Sequence, residues 1–374
     1  MKHKNKNKRK IGKIWLLLAL VLVVILVSFL VVNRDNLTID GLKRSISYRN
    51  LGESSLAETF SYAAGKEGSF GAFGGGLVVA GRSGFTYYDK SGKAALSDEV
   101  SMSDPVLSTG GSYGMVYDLG GTDLRVFDKQ DIIYEVTADN KIISAQMNQN
   151  GWAAVCTEGT DANGVVTVYN STGEAVYEWY SRTGYLVSAA VSPDDKHMSV
   201  LTMTGEGSRI VGFDLGSDEE QGEYIAEESL IFSIMYTSAG TVLALAEDSV
   251  VYLDKSVQLV TSYEYESSYL RSFAFDDVLA LYLGDTGSGS TGRLVLLGEK
   301  GELLGEEQAS RGVISMSVSG KYLGVLYDDG LEIYRGSLTL YHDTEDADGM
   351  DAVIMRSDGT ALLIGSYQAT LYIP

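Results

Sequence analysis

Residues 168–179 read VYNSTGEAVYEW, which is an alternating strand, a polar turn containing glycine, and a second strand. Valine and tyrosine favour strands, whereas asparagine, serine, threonine and glycine favour turns. Turns of the same kind follow alternating strands along the chain at Asp89–Gly92, Asp128–Gln130, Asn170–Gly173, Asp214–Gly216, Asp254–Ser256, Glu299–Gly301 and Arg335–Ser337. The pattern predicts an all-β protein built from repeated units.

A second type of polar turn recurs in step with the first. It occurs at Gln149–Gly151, Ser192–Asp195, Ser238–Gly240, Asp276–Asp277, Ser319–Gly320 and Ser357–Gly359. Measured from the last residue of each turn, the intervals are 44, 45, 37, 43 and 39 residues. A repeat of about 40 residues with several strands in each unit is typical of a β-propeller. We therefore expect blades to begin near residues 66, 105, 141, 185, 230, 270, 311 and 349.

The last repeat is one strand short. The segment Ala369–Ile373 is the third strand of the eighth unit, and the given sequence ends before a fourth strand of that unit. Either Ser45–Tyr48 or Thr59–Tyr62, near the other end of the repeat region, could supply the missing outer strand and so remove an exposed sheet edge. We expect an eight-bladed β-propeller, with seven blades as the alternative.

The strand-turn-strand of residues 168–179 resembles the Asp-x-x-Thr-Gly-x-x-x-x-Trp repeat of quinoprotein-type propellers, and Tyr88–Lys93 is a weaker copy. The whole layout is similar to that of uncharacterised bacterial signal-anchored β-propellers with WD40-like or quinoprotein-like (PQQ-like) repeats. This resemblance implies the fold but no activity, because its motifs specify turns and no quinone-ligating residue can be carried over.

The N-terminal residues predict a membrane anchor. Residues 14–32 carry no charge and would span about 28 Å as a helix, and seven basic residues precede them within residues 1–13. The basic leader should remain in the cytoplasm and the rest should lie outside it. A cleaved signal peptide is the rival interpretation, but Ser28–Asn33 offers no small-x-small cleavage site. We expect a juxtamembrane segment at 33–65, holding the closing strand, and the propeller at 66–374.

Charge and cysteine content restrict the partners and the chemistry. The net charge is −21, and the 22 basic and 50 acidic residues after the leader sum to −28. Such a surface repels nucleic acid and anionic headgroups, so we expect no nucleic-acid partner. With one cysteine, Cys156, the chain forms no internal disulfide. We expect Cys156 to be a buried hydrophobe in a second strand.

No catalytic set of residues is visible, so we expect no enzyme activity and no cofactor. Outside the leader only His197 and His342 could act as histidine bases or ligands, and no Gly-x-Ser-x-Gly elbow is present. The carboxylates of an acidic loop around Gly349 could coordinate calcium, although we expect them to be hydrated. This candidate metal site comprises Glu345, Asp346, Asp348 and Asp351.

Tyrosine is abundant, with 24 copies. Its ring serves both packing between blades and binding of peptides or sugars. Tyr180 and Tyr185 flank a connection between blades, so we expect these two to be exposed binding residues. The sequence predicts a membrane-tethered interaction scaffold or sensor for an envelope protein. The alternatives are a carbohydrate or peptide binder of the cell envelope and, third, a propeller lyase or hydrolase.

Overall fold

The computed structural model describes residues 56–62, 68–217, 219–227, 229–266, 268–285, 291–309 and 311–374. In these residues the chain forms eight four-stranded antiparallel sheets. The expectation of an all-β, eight-bladed propeller is confirmed, and the seven-bladed alternative is wrong. The predicted membrane span, residues 14–32, lies outside the described residues. Within the described ranges, no helix is long and apolar enough to cross a membrane.

The thirty-two strands of the described residues follow one another blade by blade. Blades 1 and 2 contain β2 (Ser69–Phe73), β3 (Gly76–Gly81), β4 (Gly84–Tyr88), β5 (Ala94–Asp98), and β6 (Pro105–Gly110), β7 (Tyr113–Asp118), β8 (Asp123–Phe127), β9 (Ile132–Thr137). Blades 3 and 4 contain β10 (Ile142–Met147), β11 (Ala153–Thr157), β12 (Val165–Tyr169), β13 (Ala175–Tyr180), and β14 (Tyr185–Val191), β15 (His197–Thr204), β16 (Gly207–Asp214), β17 (Glu220–Glu227). Blades 5 and 6 contain β18 (Ile231–Tyr236), β19 (Val242–Ala246), β20 (Ser249–Leu253), β21 (Leu259–Glu264), and β22 (Ser268–Phe275), β23 (Leu279–Asp285), β24 (Gly292–Leu297), β25 (Leu303–Ala309). Blades 7 and 8 contain β26 (Val313–Ser319), β27 (Tyr322–Tyr327), β28 (Gly330–Arg335), β29 (Thr339–Thr344), and β30 (Ala352–Met355), β31 (Ala361–Ile364), β32 (Gln368–Tyr372) with β1 (Leu56–Ser61).

Each blade begins with its innermost strand and ends with its outermost strand, so the ring has two distinct faces. We call the end where the innermost strands begin the front face, and the end where they turn into the second strands the back face. The polar turns from which the repeat was measured lie on the back face. Gly151 and Gly240 have φ angles of 82° and 80°, and Asp195 has 60°, so the same left-handed turn recurs.

The strand β1 closes the ring by pairing antiparallel with β32. It overlaps Thr59–Tyr62, the second of the two candidate segments, whereas Ser45–Tyr48 lies outside the described residues. Just beyond the strand, the backbone N–H of Tyr62 donates to the carbonyl of Tyr367 at 3.1 Å. The Tyr62 hydroxyl also contacts the carbonyl oxygens of Gly365 and Gln368. The N-terminal strand therefore completes the last blade.

Every outer strand in the described residues has one extra residue near its start, where the pairing register shifts. In β21 the extra residue is Val260, and in β1 it is Glu58. Such bulges twist an exposed edge away from foreign strands. The extra residue is the third of the strand in β1 and β29 and the second in the other outer strands, so β1 has a bulge of the same kind.

The core lies between neighbouring blades. All residues of the second strands β11, β19 and β27 are buried, as expected for strands covered on both faces. Tyrosine rings fill part of this core, and Tyr252, Tyr265 and Tyr322 are almost fully buried. Close approach between blades depends on small residues: a Cβ on Gly222 of blade 4 would lie 2.3 Å from the Ser256 carbonyl of blade 5.

Candidate functional site

Exposed apolar side chains recur at the start of the innermost strands of four consecutive blades. They are Tyr185, Phe232, Tyr269 and Ile314, with exposed fractions between 42% and 74%. Each is the first or second residue of β14, β18, β22 or β26, so all four lie on the front face near the channel axis. We call this set the apolar arc. Met203, the pairing partner of Tyr185, and Leu230 are also exposed beside it.

A shared backbone irregularity shapes this region. In blades 3 to 7 the register of the innermost strand shifts at an aliphatic-x-Ser triplet, which leaves the middle residue unpaired. The triplets are Ile142–Ser144, Leu186–Ser188, Ile231–Ser233, Leu270–Ser272 and Val313–Ser315. The Ser144 hydroxyl donates to the carbonyl of Val187, the unpaired residue of the next blade, at 2.9 Å. The sequence predicts exposure for Tyr185 but not for the other three arc residues. The spaced aliphatic-x-Ser triplets could have revealed Phe232 and Ile314, which are middle residues of two of them.

Tyr269 and Arg271 form an aromatic and cationic pair within the arc. The Arg271 guanidinium donates to the Tyr269 hydroxyl at 2.8 Å. Its central carbon lies 5.3 Å from the centre of the Tyr269 ring and 5.6 Å from that of the Tyr282 ring. Tyrosine and arginine are enriched in the energetic centres of protein interfaces. A fixed pair of this kind presents a partner with a pre-ordered anchor.

A polar cleft of about 940 Å³ also opens on the front face, between blades 2 and 3. Its floor is the surface of β11 and β12, including Val155, Thr157 and Thr167. Charged and polar side chains surround this floor, namely Asp139, Asn140, Asp161, Asn163, Glu178 and Arg182. Tyr180 lies at the same cleft and is 51% exposed. The cleft therefore combines an aromatic ring with many hydrogen-bonding groups.

The two predicted binding tyrosines occupy different parts of the front face. Tyr180 ends the outer strand β13, whereas Tyr185 begins the inner strand β14. The Tyr180 hydroxyl donates to a carboxylate oxygen of Glu178 at 3.1 Å, and this hydrogen bond raises the pKa of Tyr180. Tyr180 thus belongs to the polar cleft and Tyr185 to the apolar arc.

The central channel contains a cavity of about 890 Å³ toward the back face, lined by the innermost strands of blades 2 to 6. Gln146 of blade 3 donates from Nε2 to the carbonyl of Ile234 in blade 5 at 2.9 Å. This side chain bridges two innermost strands that belong to non-adjacent blades.

The carboxylates of the acidic loop face solvent. Glu345, Asp346, Asp348 and Asp351 are all exposed, and Asp351 accepts a hydrogen bond from Ser366 at 3.0 Å. Within the ranges the structure describes, no three His, Cys, Asp or Glu side chains converge as metal ligands would.

The histidines and the cysteine have local partners. His342 Nδ1 lies 2.6 Å from the Tyr372 hydroxyl, and His197 Nδ1 lies 3.2 Å from an Asp194 oxygen. Cys156 is fully buried in β11, which confirms the expectation, and burial raises the pKa of its thiol to about 12. A thiol in this state is a poor nucleophile at neutral pH.

The chain is similar in structure to several known β-propellers. The C-terminal WD40 domain of Sif2 matches with a TM-score of 0.59 at 13% identity, covering 85% of this chain and 98% of that chain. Sqt1 of Saccharomyces cerevisiae gives 0.58 at 10% identity, with 80% and 93% covered. BamB from Moraxella catarrhalis gives 0.54 at 13% identity, with 85% and 99% covered. At such identities the similarity shows the fold alone.

Sequence comparison gives a narrower assignment. No curated protein matches the chain. A model of a family of unknown function, DUF5711, matches residues 47–364 and therefore spans nearly the whole propeller. The chain belongs to the DUF5711 family.

Proposed function

We propose that this chain is a membrane-tethered propeller outside the cytoplasm that holds a protein partner on the apolar arc of its front face. The observation that carries this proposal is an exposed apolar side chain at the front-face start of the innermost strand in each of blades 4 to 7. Phe232 and Ile314 are the unpaired middle residues of their triplets, and Tyr185 and Tyr269 lie two residues before the middle residue of theirs. The inner strands of neighbouring blades pack side by side, as β14 does with β18 and β22 with β26. The arc residues therefore lie in two neighbouring pairs around the axis, one in blades 4 and 5 and one in blades 6 and 7, and exposed apolar side chains that lie close together are typical of interaction sites.

Tethering is supported by the sequence. The uncharged residues 14–32 and the basic residues before them have the length and charge asymmetry of a signal anchor. On this proposal the chain binds and does not catalyse. The function is that of a scaffold or sensor, because a rigid ring with a pre-ordered apolar surface supports recognition and needs no reacting groups.

The test uses a photo-crosslinking amino acid in the full-length protein in its native cells. It replaces Phe232 or Tyr269 in the arc, and Leu259 or Leu340 as controls. The controls begin outer strands on the back face and are 57% and 52% exposed, so they match the arc in accessibility. We expect both arc positions to crosslink to the same protein and the controls to give no such product. Equal products from arc and controls would refute the assignment of the surface.

A second candidate function is the binding of an envelope oligosaccharide in the polar cleft. The exposed ring of Tyr180 stands beside carboxylates, amides and hydroxyls, which together donate and accept hydrogen bonds. Such a mixture suits a ligand rich in hydroxyl groups. The cleft volume lies within the usual range of ligand sites.

A further inference from the structure

A cavity of about 420 Å³ opens on the back face between blades 6 and 7. We call it the back pocket. Its walls are apolar: Leu296 and Leu304 belong to blade 6, and Val318, Leu323 and Leu338 belong to blade 7. Most of these side chains belong to the buried core between the two blades. The volume lies within the range of small-molecule sites, which are mainly apolar with a few polar groups at fixed positions.

Two turns of blade 7 form the mouth of the pocket. They are Ser319–Lys321 and Arg335–Leu338, and the backbone N–H of Gly336 donates to the carbonyl of Lys321 at 3.1 Å. A carboxylate oxygen of Asp276 accepts from the backbone N–H of Gly320 at 2.9 Å. These bonds hold the mouth in place on both sides, so the pocket is pre-formed.

The charges at the mouth differ from those of the rest of the molecule. Lys321 and Arg335 line the pocket together with Asp277, and the Asp276 carboxylate lies at the same mouth, so cations and carboxylates are equal in number there, in a chain with 29 basic and 50 acidic residues. The Lys321 ammonium lies 5.3 Å from the Tyr322 ring centre, and the Arg335 guanidinium lies 5.0 Å from that of Tyr341. Two cations beside an apolar cavity complement a molecule that has an anionic end and a hydrocarbon body.

We propose that the back pocket binds a small aliphatic carboxylate, with its hydrocarbon chain between blades 6 and 7 and its anionic end beside Lys321 and Arg335. This site is independent of the apolar arc, because it lies on the opposite face of the ring. Burial of the chain drives binding, so each added methylene should tighten binding about fourfold until the cavity is filled.

The test is titration calorimetry on the full-length protein in lipid nanodiscs. The probes are hexanoate and octanoate, with octan-1-ol as a neutral analogue and octylammonium as a cationic analogue. Leu304→Trp fills the pocket, and Leu303→Trp is the matched control, since Leu303 is exposed and does not line the cavity. Subtracting the Leu304→Trp signal removes the contribution of the bilayer. Lys321→Gln and Arg335→Gln test the charged mouth.

We expect octanoate to bind at one site in the wild-type protein and in Leu303→Trp, but not in Leu304→Trp. Octan-1-ol and octylammonium should bind at least tenfold more weakly, and the two glutamine variants should weaken octanoate without affecting octan-1-ol. Unchanged octanoate binding in Leu304→Trp would overturn the location. Equal affinity for the neutral or cationic analogue would overturn the preference for an anion.

Discussion

Tyr180 is the residue on which the oligosaccharide hypothesis depends most directly. Its exposed ring offers a flat apolar surface, and its hydroxyl is already bonded to Glu178. We predict that Tyr180→Ala lowers affinity for envelope oligosaccharides about five- to tenfold, the size of an aromatic contact of about 1 kcal/mol. Tyr180→Phe should retain most of the affinity, since it keeps the ring.

Calorimetric titration with fragments of the cell-envelope glycan measures this effect. Tyr185→Ala is the control, because Tyr185 is more exposed but lies in the apolar arc and not in the cleft. An equal loss of affinity in both alanine variants would contradict a site in the polar cleft.

At the residue scale, the sequence predicts which tyrosine side chains are exposed but not which surface each of them belongs to. Tyr180 and Tyr185 were expected at a connection between blades, and both are exposed there. Tyr180 ends an outer strand and Tyr185 begins an inner strand, so the two residues belong to different surfaces. Which strand of a blade is outermost is known only from the assembled ring. For the carboxylates around Gly349 the sequence favours hydration over calcium binding, and all four side chains are exposed.

At the element scale, β1 is the strand with the largest consequence for stability. Five residue pairs join it to β32. We predict that deleting residues 34–62 lowers the free energy of unfolding by about 3–5 kcal/mol, since a whole row of backbone hydrogen bonds is lost and an edge is exposed. Thermal unfolding should show a clearly lower Tm. Deleting residues 34–44 alone is the control, and it should leave Tm nearly unchanged. If the two deletions have the same Tm, the closure of the ring by β1 is wrong.

The strands and turns were largely predictable because their signals are local. A left-handed turn residue such as Gly151 or Gly240 is visible in the sequence wherever it recurs. The bulges were not predicted, because a bulge is defined by the pairing of one strand with another. Residues Phe232 and Val260 look like ordinary strand residues until their partners are known.

At the scale of the whole molecule, the ring separates its surfaces by face. The front face carries the apolar arc and the polar cleft, and the back face carries the back pocket. The repeat predicts the number of blades, but which exposed side chains lie near one another around the axis is visible only in the closed ring. The acidic surface outside these sites should repel acidic proteins, so a partner of the arc is expected to have a neutral or basic rim.

The most direct test of partner binding on the arc is co-purification of the partner with full-length variants from native membranes. Phe232→Glu with Tyr269→Glu places charge in the arc, and Leu259→Glu with Leu340→Glu places the same charge on the back face. Because a few apolar residues dominate interface energies, we predict that the arc pair lowers the yield of partner at least tenfold while the control pair retains the wild-type yield. Equal yields from the two pairs, whether retained or lost, would contradict binding through the apolar arc.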